Sequence, residues 1–236
     1  MLELRRHGEI ARADIGWLKA KHHFAIGPHG NPAHDPVGNL YVWNDDEIAP
    51  RSGFPLHPHA NVEIITYVRD GAITHEDSLG NHGRTVAGDV QVISAGTGIR
   101  HSERNEELVP TRIFQIWIQP RERNGPPRWG SKPFPRSDRS GRFIALASGN
   151  AIDGALPIRA NADVYGALLL AHTATEAALP VGASAYLAPS AGAILVNGQR
   201  VETGEGIAVR EEASIHVEAI VDAEVVLVVT GASPDR

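Results

Sequence analysis

The stretch Gly53–Gly71, GFPLHPHANVEIITYVRDG, decides how this chain is read. Its second half is rich in β-branched and aromatic residues and closes on Asp70-Gly71, a pair suited to a tight hairpin turn. Its first half sets His57 and His59 one residue apart. Successive side chains on a strand point to opposite faces, so the two imidazoles share a face. If the strand runs on, Asn61 and Glu63 share it too. Further along, GTGIRHSERN repeats the parity with His101 and Glu103. Two strand segments can thus aim three histidines and a carboxylate at one point. That donor set suits a divalent transition metal with positions left open for substrate. Both Glu63 and Glu103 have the parity to supply the carboxylate.

Working outward, the remaining apolar runs are short and frequent. NLYVWND, GDVQVISAG, TRIFQIWIQP, FIALAS, AILVNG, GIAVRE and AEVVLVVTG are separated by Gly, Pro, Asn and Asp, and the chain holds 24 Gly and 16 Pro. Spacing of this kind predicts an all-β fold of barrels or sandwiches. Ala162–Ala171 could be mistaken for a helix, but its Val-Tyr and Leu-rich content reads as a strand. The proline-rich, charged segment Arg121–Arg142 divides the chain. The expected organisation is a metal-bearing domain over 1–125, a linker over 126–142 and a second domain over 143–236. The halves look like weak repeats, with His101-Ser102-Glu103 finding a counterpart in His216-Val217-Glu218. The second half has no histidine pair, since LPVGASAYLAPSAG stands at the corresponding place. It is expected to carry no metal.

Composition narrows the function classes. The 236 residues carry a net charge of −6 and no cysteine. Disulfides, thiolate nucleophiles and cysteine-ligated metal sites are excluded. No Lys/Arg cluster marks direct nucleic-acid binding. The opening MLELRRHGEIARAD is too charged for a signal peptide, and no apolar run approaches membrane-spanning length. The expectation is a cytoplasmic protein acting at neither a membrane nor a nucleic acid. Of the 12 histidines, His7, His22, His23, His29, His34, His82 and His172 read as surface or hydrogen-bonded residues. His75, in ITHEDSLG near a hairpin turn, also reads as structural. Gly96 and Gly98 give the chain room to turn just before His101.

HPHANVE, THEDSLGN, SAGTGIRHSERN and FQIWIQP together resemble the motifs of the pirin family within the cupin superfamily, and its bacterial quercetinase-like branch in particular. The resemblance is specific over residues 40–120 and fades in the second half. It implies a bicupin, two antiparallel jelly-roll β-barrels packed face to face. It implies His57, His59, His101 and Glu103 as ligands of one divalent transition metal per chain. Iron(II) is the first choice, with Cu, Mn, Co, Ni or Zn as others. Glu63 then falls to a supporting role, and either Glu103 or Glu63 would accept the substrate proton. The implied activity is a quercetin 2,3-dioxygenase-like oxidation, with O2, of a flavonol or similar enolic aromatic compound. The alternative it implies is a non-enzymatic, metal-dependent redox sensor or regulator that binds a protein partner.

Overall fold

The computed structural model describes residues 1–231 and is built almost wholly of antiparallel strands. They form two barrels, each a seven-stranded sheet backed by a four-stranded one. In the first barrel the large sheet runs in the order 128–132, 90–94, 63–70, 111–118, 40–48, 18–22 and 11–14. Its small sheet runs 52–59, 99–105, 72–77 and 82–86. The second barrel repeats the plan, with a large sheet centred on 184–191 and 223–230 and a small sheet of 174–178, 214–219, 193–196 and 199–202. This is the bicupin architecture. Ala162–Leu169 is a strand, as its Val-Tyr content suggested. Among the described residues no helix is long and apolar enough to cross a membrane.

The two large sheets face each other, and the largest apolar cluster lies between them. Trp43, Ile65, Tyr67 and Phe114 of the first barrel pack there against Val164, Tyr186, Val226 and Val228 of the second. Strand alternation then dictates what fills the first barrel, because the neighbours of these residues point the other way. Those neighbours include Thr66, Gln91 and Gln115, and they join Asp46, His75, His101 and Glu103 as buried polar residues. The interior of the second barrel is instead aliphatic, with Leu187, Ile194, Val196, Ile207, Ile215, Val217 and Leu227 fully buried. Unpartnered polar groups are costly to bury, so a polar barrel interior beside an apolar one marks where chemistry is housed.

Two segments cross the expected boundaries. Residues 128–132 lie in the segment read as a linker, yet they form a strand on the edge of the first barrel's large sheet, paired with Val90–Ser94. Its prolines, at 126, 127, 133 and 135, sit outside the paired residues, and Trp129 packs against the small apolar cluster of that barrel. The strand Leu2–Arg5 pairs not with the first barrel but with Gly206–Arg210 of the second. A buried ionic clip ties the barrels to the connecting segment. Arg139, wholly buried, donates to the Tyr67 hydroxyl at 2.8 Å and pairs with Glu224 at 2.9 Å.

Candidate metal centre

Ser52–His59 is the edge strand of the small sheet in the first barrel, which is why it tolerates Pro55 and Pro58 without losing ladder bonds. It pairs with Ile99–Asn105, where His57 stands opposite His101 and Phe54 opposite Glu103. The step from 57 to 54 against 101 to 103 is a bulge, a device that re-aims side chains beside functional sites. On the other flank of Ile99–Asn105, Asp77 faces His101 and His75 faces Glu103.

The pairing brings the imidazoles of His57, His59 and His101 together. Each offers a ring nitrogen, and those nitrogens all lie within 4.8 Å of one another. Ring centroids are 4.7 Å apart for His57 and His59, 4.4 Å for His57 and His101, and 5.1 Å for His59 and His101. His57 Nδ1 is 2.7 Å from the Pro55 carbonyl oxygen, which fixes the tautomer with the proton on Nδ1 and the lone pair on Nε2. His101 is fully buried, and neither of its ring nitrogens has a hydrogen-bond partner. An imidazole so placed fits a metal ligand, because a bound cation supplies the missing partner. Burial, reinforced by the neighbouring rings, lowers the pKa of His59 to about 4 and of His101 to about 3. Both are therefore neutral at pH 7 and carry the lone pair that coordination requires. A surface depression of about 460 Å³ reaches His59, beside Pro58, Ala60, Ser78 and Arg100, and is lined by neither His57 nor His101.

Glu103 lies outside the set of nitrogens that meet within 4.8 Å, although its charge is felt by His59. It is buried and accepts three hydrogen bonds. Oε1 takes them from Thr66 Oγ1 at 3.0 Å and Gln91 Nε2 at 2.5 Å, and Oε2 takes one from Gln115 Nε2 at 2.8 Å. Glu63 is placed elsewhere, which corrects the parity argument. Its Oε2 accepts from Ser94 Oγ at 2.6 Å and from the Arg159 amide at 3.1 Å. Burial raises its pKa, opposed by Ser94, Arg159 and Arg128, with no histidine among the causes. The physical reason is a change of sheet. Asn61 takes φ 54° between His59 and Glu63, and the chain passes there from the small sheet to the large one. Alternation does not survive such a turn.

Some residues read as structural, or passed over, lie close to the cluster. His75 is fully buried, 5.5 Å from the His101 ring, stacked on Trp129, with Nε2 3.0 Å from Asp77. Asp46 is buried without a partner for either oxygen, and desolvation, with the nearby charges of Asp45 and Glu103, raises its pKa well above the usual carboxylate range. The signal was present in the sequence as a single polar residue inside a buried run: Gln91 in VQVIS and Gln115 in IFQIWI. In the second barrel His216 is exposed, because Ile215, Val217 and Ala219 take the inward positions. The matched His-x-Glu phrase there points to the outer face. A groove of about 570 Å³ on another face contains none of the three clustered histidines. Its Lys19, Lys21, Arg69 and Arg112 are already paired with Asp45 and Glu47.

Comparison with known proteins places these features. Residues 4–118 match the family model Pirin, and residues 145–228 match that of the quercetinase C-terminal cupin domain. A pirin-like protein of Caulobacter vibrioides is 57% identical over 97% of this chain and 99% of its own. A quercetin 2,3-dioxygenase of Escherichia coli K12 is 35% identical over 96% of this chain and 97% of its own. The crystal structure of the Escherichia coli bacterial pirin YhhW in complex with nickel(II) is 33% identical and superposes with a TM-score of 0.92, covering 98% of this chain and all of that one. With two facing barrels, a histidine cluster confined to the first, and relatives alike over nearly their whole length, this chain belongs to the pirin family of the cupin superfamily.

Proposed function

We propose that the protein is a metal-dependent dioxygenase of the quercetinase type. It acts with O2 on a flavonol or a similar enolic aromatic compound. One divalent transition metal per chain, iron(II) first among the candidates, is held by His57, His59 and His101 with Glu103. The observation that carries this reading is the cluster of three imidazoles, with His101 buried and both its nitrogens without partners. The quercetin 2,3-dioxygenase relative supports the choice of reaction. When bound, the metal supplies Lewis acidity toward an enolic oxygen and, with a redox-active ion, coupling to O2.

The protein's own groups set the rest. His57 is held in one tautomer by Pro55, and Trp117 lies edge-on to His59 at 4.9 Å, so two of the rings are oriented in advance. An ionised carboxylate has about four acceptor sites, and three on Glu103 are taken by Thr66, Gln91 and Gln115. The one that remains serves either the metal or a substrate proton, not both at once. Glu63 faces Ser94 and Arg159, so its part is to brace the junction with the second barrel. The second barrel, with its aliphatic interior, acts as a metal-free partner of the first.

The test is O2 uptake with loss of flavonol absorbance, run with iron, copper, manganese, cobalt and nickel in turn, alongside elemental analysis. Wild type should bind about one metal per chain and turn over. His101→Ala should lose metal and activity together, and His216→Ala should change neither. Turnover no greater than that of free metal under every condition would overturn the dioxygenase reading.

A further inference from the structure

We propose that Trp117 and Trp129, acting through Gln115 and Gln91, orient the Glu103 carboxylate and thereby set how tightly the centre holds its metal. The proposal rests on the metal centre described above, but not on the reaction assigned to it.

The argument follows hydrogen-bond direction. An indole N–H can only donate. Trp117 Nε1 donates to Gln115 Oε1 at 3.3 Å, and Trp129 Nε1 donates to Gln91 Oε1 at 3.3 Å. Thr85 Oγ1 adds a second donor to Gln91 Oε1 at 3.3 Å. Each glutamine oxygen is thus committed to a donor, and each NH2 must turn the other way. Both turn to Glu103, one on each carboxylate oxygen. The carboxylate plane is clamped from two sides, with Thr66 completing the frame on Oε1. Gln91, Gln115 and Thr66 are buried, so water does not substitute for any of them at low cost.

The same indoles reach the histidines. Trp117 meets the His59 ring edge-on at 4.9 Å, and Trp129 stacks on His75 at 4.9 Å with 6° between planes. Each tryptophan therefore couples one histidine to the carboxylate through a single glutamine. Trp129 comes from the segment that leads into the second barrel, and it has room only because residue 83 is glycine. A Cβ there would stand 2.2 Å from Trp129 Cη2. Gln91 and Gln115 stand one hydrogen bond from Glu103, and partners so placed typically change metal affinity by about 10–100-fold when lost.

The experiment is nickel affinity measured by competition with a chelator, on the full chain and without substrate. Trp117→Phe and Trp129→Phe keep one aromatic ring and remove the N–H donor with the five-membered half of the indole, a loss that the Trp43→Phe control shares. Each should weaken nickel binding several-fold, and together by about 10-fold or more. Gln115→Leu should weaken it at least as much. Trp43→Phe is the control, since Trp43 Nε1 has no partner and its ring lies in the inter-barrel core. It should bind nickel as wild type does, and melting of the metal-free proteins separates loss of affinity from loss of fold. A double Trp117→Phe/Trp129→Phe variant within twofold of wild type overturns the proposal. A wild type that binds no nickel overturns it together with the centre itself. Because no substrate is present, a protein inactive on flavonols still decides the question.

Discussion

Glu103 shows how much can hang on one side chain. Its two oxygens face three donors, so any replacement must accept from all of them. Glu103→Gln keeps the shape and fails this requirement, because one end of the new amide presents N–H to N–H. Relief requires Gln115 or Gln91 to flip, which strands a tryptophan N–H. The metal-free variant should lose about 1–3 kcal/mol of stability, the cost of a buried unsatisfied group, read as a lower urea midpoint. Unaltered stability would show that the three donors do not clamp the carboxylate. The parity of Glu103 with His101 was legible in HSE. Its support was harder to read, because Gln91 and Gln115 lie in other strands and meet Glu103 only when the two sheets close. What the sequence did show was an amide where an aliphatic side chain was due.

At the scale of strands, alternation was a reliable guide within one strand and misleading across a turn. His57 and His59 share a face because Ser52–His59 is continuous, and Glu63 does not because the chain changes sheets at Asn61. The same limit explains His216. A shift of one residue turns every side chain over, and Val217 takes the inward place. The strand Arg128–Lys132 was hidden by its flanking prolines, and it is held by cross-strand pairing and by Trp129. That strand carries its own prediction. Gly83→Ala sets a Cβ against the Trp129 ring and should cost about 1–3 kcal/mol, as overpacking does. It should also shift tryptophan emission, since the ring must leave its stack on His75. An alanine variant with unchanged emission and melting would mean that Trp129 adapts freely.

For the molecule as a whole, the junction between barrels contributes to acid stability. His23 is wholly buried there, with Nδ1 2.8 Å from the Tyr186 hydroxyl, and burial lowers its pKa to about 3. The unfolded chain takes up a proton near the ordinary value of 6.5. Between these two values the unfolded state binds more protons, so stability is full above about 6.5 and declines as the pH falls toward 3. The slope is at most about 1.4 kcal/mol per pH unit, or about 2 kcal/mol lost by pH 5. His59 and His101 act in the same direction in the metal-free protein, so the informative quantity is a difference. His23→Gln should shrink the loss between pH 7.5 and 5, followed by urea unfolding, by about that 2 kcal/mol. A pH dependence identical to wild type would take His23 out of the account.

The strand Leu2–Arg5, paired with Gly206–Arg210, has a consequence in time. It leaves the ribosome about 200 residues before its partner, which at 5–20 residues per second is roughly 10–40 s. Through most of that interval the nascent segment is a strand without a sheet, and Arg5 lacks the Tyr186 ring it later covers. The first barrel can close while synthesis continues. The second cannot, since Ala223–Thr230, an inner strand of its large sheet, is the last of its strands to be made. Until Leu2–Arg5 returns, Gly206–Arg210 presents a bare edge open to the same strand of another copy. Crowded synthesis therefore favours exchange of this strand between neighbouring chains, and slow dilution favours its return to its own.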